Sequence, residues 1–392
     1  MQGFALALIA AIAAITSSVA CAAPYVPENG SKVLEVLPSR NDPLQQAFAR
    51  MRARLKQDPE NVDLASRLAQ MYISASRTDG DPRYLGYAQA ALKPWWDAPR
   101  PPNAVLLEKA IILQSVHRFD ESLAALESVL AADPHNGQAW LTRATVLAVV
   151  GRHDEARNAC SRLHGLAYDI VLRACTANVG ALDGHAQASY DDLSATLAQY
   201  PNADPGVRIW VATLLGEMAA RLDRPAQAEA HFREAMAIDK PDGYLLGAYA
   251  DFLLDRKRYA DAAALVKART RNDALLLRHA LAMNMQQAPQ ARDDIEALRQ
   301  RFAAAAMRGD VVHRREQARF ELHLLGQPRQ ALRTALLNWD VQKEPADLRI
   351  LLEAAIAAGD SHAMALAVDW IDRTHFEDQT LVAMVHVARG KA

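Results

Sequence analysis

Phe119-Asp120-Glu121-Ser122 and His153-Asp154-Glu155-Ala156 lie 34 residues apart and in register, since Phe119 maps onto His153 and Glu121 onto Glu155. The segments around them, from Asn103 to Ile170, read as two copies of one helix-turn-helix unit. The first copy closes at Asp133-Pro134, and the second opens with Trp140-Leu141-Thr142-Arg143-Ala144 and turns at Gly151-Arg152. A period of this length specifies stacked units, because one helix pair cannot bury its own apolar stripe. Such an array grows by addition, so 392 residues need not divide into several compact domains. No stretch alternates as a strand does, and the expected fold class is all-α with no sheet.

The residue grammar of the two copies resembles the tetratricopeptide repeat family. Counting Gly137 as position 1, Trp140 falls at 4, Ala144 at 8, Gly151 at 15 and Ala156 at 20. Small residues at 8 and 20 let the paired helices approach closely. A turn glycine tolerates the left-handed backbone that ends the first helix, and Pro134 stops the second helix of the preceding unit. The resemblance implies a right-handed superhelical solenoid of antiparallel helix pairs.

The same grammar extends through the chain. Residues 62–93 form a first pair, with Leu68, Ala69 and Tyr72 at family places and an insertion at Ser74 to Pro82 expected to form a loop. Clear copies follow at 103–136, 137–170, 209–242 and 243–270. Gly216, Ala228, Phe232 and Ala235 carry the fourth, and Ala250, Tyr259 and Ala262 the fifth. Looser copies fit 171–203, 272–308, 312–341 and 345–374. A capping helix is expected over 375–388, with Leu381, Val382, Met384 and Val385 facing inward. The solenoid thus spans 42–392, beginning at the helix-start signal Asn41-Asp42-Pro43. Trp95 and Trp96, between helix-breaking prolines, either plug a gap beside the insertion or form an aromatic platform.

Residues 1–22 have the shape of a secretory signal. An apolar run from Phe4 to Ile15 precedes small residues that end in Ala20-Cys21-Ala22. Met1-Gln2-Gly3 carries no Lys or Arg. Cys21 raises lipidation as an alternative to soluble export, although Ser18 stands where lipoprotein signals carry leucine. Residues 23–41, with Pro24, Pro27, Asn29-Gly30 and Pro38, read as a flexible leader. The expected location is the periplasm or the exterior, or the outer membrane if Cys21 is lipidated. No later apolar run is long enough to span a bilayer.

Charge narrows the partners. With 44 basic and 46 acidic residues there is no cationic excess to neutralise phosphates, so nucleic acid is not the expected partner. No His-Glu-x-x-His, Gly-x-Ser-x-Gly, phosphate-cradling glycine loop or Cys-x-x-Cys occurs, so no catalytic residue, cofactor or metal is expected. His313, Glu316 and His323 are the best metal-like trio. His323 lies about 15 Å along the axis from His313, too far to share one ion.

Cys160 and Cys175 are placed on consecutive helices, one in a core position. An oxidising compartment permits their bonding, and two buried thiols packed as small hydrophobes are the alternative. The family resemblance further implies a concave face lined by the first helix of each repeat. Here those places hold Leu107, Ile111 and Gln114, then Leu141 and Thr145. Trp210, Glu217 and Arg221 follow, then Tyr244, Asp251 and Asp255. The Lys and Asn carboxylate clamp of the family is missing from them. The leucines serve packing as readily as binding. The acidic and aromatic later half implies a protein or peptide partner that is basic and carries an apolar anchor. The expected function is a non-catalytic binding scaffold of the cell envelope. Alternatives are a lipoprotein serving polymer or protein secretion and, from another class, a hydrolase or metal-binding protein.

Overall fold

The computed structural model describes Asn29, Ser31 and residues 42–391. The expected signal with Cys21, and the leader apart from Asn29 and Ser31, lie outside the described residues. By compactness the chain divides into Met1–Ala47 and Phe48–Ala392. In the first unit the Ser31 N–H donates to Asn29 Oδ1 at 2.9 Å. Asp42 caps helix α1 (Pro43–Gln57), its Oδ1 accepting from the Leu44 N–H at 2.8 Å.

From Phe48 onward the described residues form helices and turns, with no strand among them. Helix α2 (Val62–Asp79) pairs with α3 (Arg83–Ala91), and the single-turn α4 (Lys93–Trp96) follows. Then α5 (Asn103–Ser115) pairs with α6 (Phe119–Ala132), α7 (Gly137–Val149) with α8 (His153–Ser161), and α9 (Asp169–Gly180) with α10 (Ala186–Gln199). Next come α11 (Pro205–Arg221) with α12 (Pro225–Ile238), α13 (Gly243–Asp255) with α14 (Tyr259–Val266), and α15 (Asp273–Met285) with α16 (Ala291–Met307). The last pairs are α17 (Arg314–His323) with α18 (Pro328–Trp339) and α19 (Pro345–Ala358) with α20 (Ser361–Thr374), before the terminal α21 (Val382–Lys391). The first helix of each pair also touches the first helix of the next. That ladder is an all-α solenoid.

Local chemistry explains the regularity. Five of the nine first helices begin at an Asn or Asp cap, and at three of them Asn61, Asn136 and Asp242 accept from Leu64, Ala139 and Leu245 N–H at 2.9, 3.0 and 2.8 Å. The turns into second helices pass through a left-handed residue, His117, Gly151, Asp223, Lys257 or Gln287. The other four pairs turn at left-handed glycines, Gly80, Gly184, Gly326 and Gly359, so glycine supplies five of the nine turns and an L residue is held in the left-handed region at the rest. Ala144, Ala156, Ala228, Ala250 and Ala262 are each at most 1% exposed, as close helix approach requires. At Gly216 a Cβ would lie 2.7 Å from the Phe232 ring, so this crossing admits only glycine without rearrangement.

Two expectations need correction. The insertion at Ser74–Pro82 is mostly helix, because α2 continues to Asp79 before Gly80 terminates it in the left-handed region. Ala75 is buried, so the apolar stripe continues through the added turn. At the C-terminus His375 is left-handed and α21 starts only at Val382, which delays the helix. Its buried stripe therefore runs through Leu381 and Ala388, with Met384 and Val385 partly covered, while Val382 faces solvent at 43% exposure. Of the paired tryptophans, Trp96 is buried beneath the Lys109 ammonium, 5.0 Å from the ring, and Trp95 packs on the same core.

The larger unit also folds back on itself. Residues of α6 to α9, including Phe119, Leu147, Cys160 and Val179, share one apolar core with Ala318, Trp339, Leu351, Met364 and Leu381. The Lys343 N–H donates to the Val149 carbonyl at 2.7 Å, and the Gln379 N–H to the Arg221 carbonyl at 2.8 Å. The last pairs thus pack against pairs far earlier in sequence.

Candidate functional site

The first helices of the pairs present the residues anticipated for binding, and the fold-back separates them into two environments. In one, the opening turns of α7 and α11 and the α8–α9 loop bound a groove of about 690 Å³. Leu141, Trp210, Leu166, Tyr168, Val171 and Gln138 are among its walls, and no charged side chain lines it. Tyr168 is 83% exposed. The loop wall is closed by a disulfide between Cys160 on α8 and Cys175 on α9, with Cα atoms 5.6 Å apart. An uncharged wall with exposed aromatic area favours an apolar occupant, since a charged one would be desolvated there without a counter-ion.

The other environment is polar and already paired. Arg278 Nη2 lies 2.5 Å from Asp251 Oδ2, and Arg319 Nη2 lies 3.0 Å from Asp251 Oδ1. Asp255 holds the Arg349 guanidinium through two bonds of 2.7 and 2.8 Å, and Arg349 also donates to Glu353. The Tyr244 hydroxyl shares its proton between both Glu217 oxygens, each at 3.0 Å. Arg221 places its guanidinium 5.7 Å from the Phe376 ring. The remaining anticipated residues serve packing. Ile111 is buried, Leu107 is packed beside it, and the Thr145 hydroxyl donates to the Leu141 carbonyl at 3.0 Å. Gln114 is half-buried, its carbonyl accepting from the His117 N–H.

Arg278, Arg319 and Arg349 were not singled out from sequence, although a signal existed. Arg278 directly follows Leu275-Leu276-Leu277 and Arg349 sits between Leu348 and Ile350, and a cation on an apolar helix stripe needs a buried counter-charge. The trio His313, Glu316 and His323 is not brought together. Glu316 is buried against Arg315, while His323 Nε2 lies 2.9 Å from Glu353 Oε2. Among the described residues no three His, Cys, Asp or Glu side chains converge as a metal cage.

These pairings leave opposite marks on titration. Burial alone would raise the Glu316 carboxyl, yet Arg315, Arg278 and His313 hold it down to about 2. Burial likewise opposes His323 and Arg349 at Glu353, which also falls to about 2. Both carboxylates contribute stability present above the ordinary value of 4.5 and lost as pH falls through about 2. Glu217 behaves in the opposite sense. Burial, helped by Glu344 and Asp251, outweighs Arg221 and Tyr244 and lifts it to about 7. The folded chain then keeps a proton that the unfolded chain has lost. Its contribution is present below pH 4.5 and disappears as pH rises through 7. Glu217→Gln should therefore raise stability at pH 8 relative to pH 5 by about 3 kcal/mol at most. Thermal melts of both proteins across that range measure it, and parallel curves would contradict the assignment.

A ladder of helix pairs in which successive first helices touch defines the fold as a helical-repeat solenoid. Residues 114–169 match the tetratricopeptide repeat family. Proteins of this family are typically non-catalytic scaffolds that bind protein partners. No curated protein matches the chain. Among solved structures it resembles a tetratricopeptide repeat protein from Parabacteroides merdae, at 14% identity and a TM-score of 0.48, covering 61% of this chain and 92% of that one. It also resembles the APC/C hetero-tetramer Cut9-Hcn1, at 14% identity and TM-score 0.41, over 84% of this chain and 52% of that one. A third is the human IFIT1 dimer with m7Gppp-AAAA, at 16% identity and TM-score 0.39, over 88% and 76%. No helix of the described residues is long and apolar enough to cross a membrane.

Proposed function

We propose that this protein is a non-catalytic scaffold of the cell envelope that holds a protein or peptide segment in the groove between α7, α9 and α11. The observation that carries the reading is the uncharged groove itself, lined by Leu141 and Trp210 together with the exposed Tyr168. A basic segment with an apolar anchor remains a partner for the acidic side of the inner face. To engage Asp251 and Asp255 it has to displace Arg278, Arg319 and Arg349 from them. The export-signal pattern of residues 1–22 and a disulfide-compatible pair of cysteines support an envelope location. Cys21 favours a second form of the reading, a lipid-anchored scaffold assisting envelope polymer or protein secretion, and radiolabelled fatty acid incorporation distinguishes the two.

The test of the binding reading is site-specific photocrosslinking in the native envelope. A photoreactive residue at Tyr168 or Leu141 is expected to trap a discrete protein adduct, while one at the exposed Glu127 on α6 is not. Equal trapping from all three positions, or from Glu127 alone, would refute the groove as the binding surface.

A further inference from the structure

The larger unit carries a second groove at its N-terminal edge, away from the α7–α9–α11 site. It encloses about 380 Å³ between the end of α1, helix α2 and helix α3, with Leu55, Leu68, Tyr72, Tyr87, Pro59 and Pro94 on its walls. Its floor is fixed, because Tyr72 is 2% exposed and stacks on Phe48 with ring centroids 4.5 Å apart. Its lip is Tyr87, 52% exposed and 5.6 Å from the Tyr72 ring. Rigid tyrosine faces offer large contact area at small entropic cost, and proline walls leave no backbone donor to be desolvated.

The charged residues that line this groove, Arg52 and Lys56, are both cationic and both on α1, whose other charges have the same sign. Arg50, Arg52, Arg54 and Lys56 project from that helix, which contains no Asp or Glu. All four are exposed, and no described carboxylate lies within ion-pair distance of any of them. The one polar contact is Arg52 Nη1 to the Tyr72 hydroxyl at 2.7 Å, which turns that guanidinium into the groove. Asp58 and Glu60 follow in the next turn, and Asp58 is engaged by the Asn61 side chain. This contrasts with the inner face, where the carboxylates are neutralised by arginines of the same chain. In a chain of net charge −2, unspent cations beside an aromatic groove select an anionic partner.

We propose that this groove binds an extended acidic peptide containing proline, with a proline or leucine seated on Tyr72 and Tyr87 and flanking carboxylates on Arg52 and Lys56. Proline-containing segments are already extended and lose little entropy on docking to an aromatic groove. The groove shares no lining residue with the α7–α9–α11 site, so the proposal stands or falls independently of the proposed scaffold function.

Fluorescence anisotropy on the full-length protein, with a labelled peptide of a Pro-Leu-Pro core flanked by glutamates, provides the test. Binding is expected to weaken with salt and to weaken about tenfold or more when the flanking glutamates become glutamines. Lys56→Glu and Tyr87→Ala, both at exposed positions, should each weaken it about threefold to tenfold while leaving the thermal melt unchanged. Absence of binding, indifference to both substitutions, or equal affinity for the glutamine peptide overturns the proposal. Phosphatidylglycerol vesicles form the remaining arm. Vesicle binding that depends on Lys56, with no binding of the peptide, would assign the cationic rim to a membrane surface instead.

Discussion

Asp251→Ala is expected to lower stability by about 3 kcal/mol or more, because it strands two partly buried guanidinium groups at once. Arg278 and Arg319 retain 9% and 18% side-chain exposure, too little for solvent to replace the lost carboxylate. Arg278 keeps backbone partners at the Gly247 and Ala274 carbonyls, so the larger loss falls on Arg319. Because Arg319 belongs to α17 and Asp251 to α13, the substitution should loosen the C-terminal pairs first. Hydrogen exchange resolved by segment would show faster opening of 314–358 than of 103–161. Uniform change, or a loss below about 0.5 kcal/mol, the level of an ordinary surface substitution, would contradict the pairing.

Removing the disulfide should have an effect of comparable size. Cys160→Ser together with Cys175→Ser opens a bond that spans 15 residues of sequence, worth about 3 kcal/mol in chain entropy. Both sulfurs are in the core, Cys160 at 0% and Cys175 at 5% exposure, so the hydroxyls add a desolvation cost. The consequence reaches the binding surface, since the loop they close carries Leu166 and Tyr168 into the groove. Under denaturant titration the double variant should unfold earlier than the oxidised parent, and the reduced parent should approach it. Coincident curves for oxidised and reduced parent would show that the bond constrains nothing.

What could be read from the sequence follows the range of the interactions. Trp140, Ala144 and Ala156 reveal the repeat because each packs within its own unit or on a neighbour, and the rule recurs every 34 residues. Cys160 and Cys175 could be anticipated as neighbours because consecutive helices are antiparallel. The α2 extension was misread because a break in the period looks the same whether the added residues coil or continue a helix. The fold-back of the last pairs could not be read at all. It brings Lys343 to Val149 and Arg349 to Asp255, contacts that depend on small rotations accumulated over several units. No local pattern encodes such a sum. The anticipated site residues therefore separate by what reaches them from afar. Leu141 and Trp210 remain on an open groove, while Asp251 and Asp255 meet arginines of α17 and α19.

That long-range contact is the claim on which the division of the inner face rests, and a charge-swap cycle at Asp255 and Arg349 tests it most directly. The pair is bidentate but about one third exposed on each side, so its coupling should be near 1 kcal/mol. Asp255→Arg and Arg349→Asp alone are expected to lower the melting temperature, and the two together to recover most of the loss. Strictly additive losses in the double variant would mean that α13 and α19 do not meet, and that the acidic half of the inner face lies open.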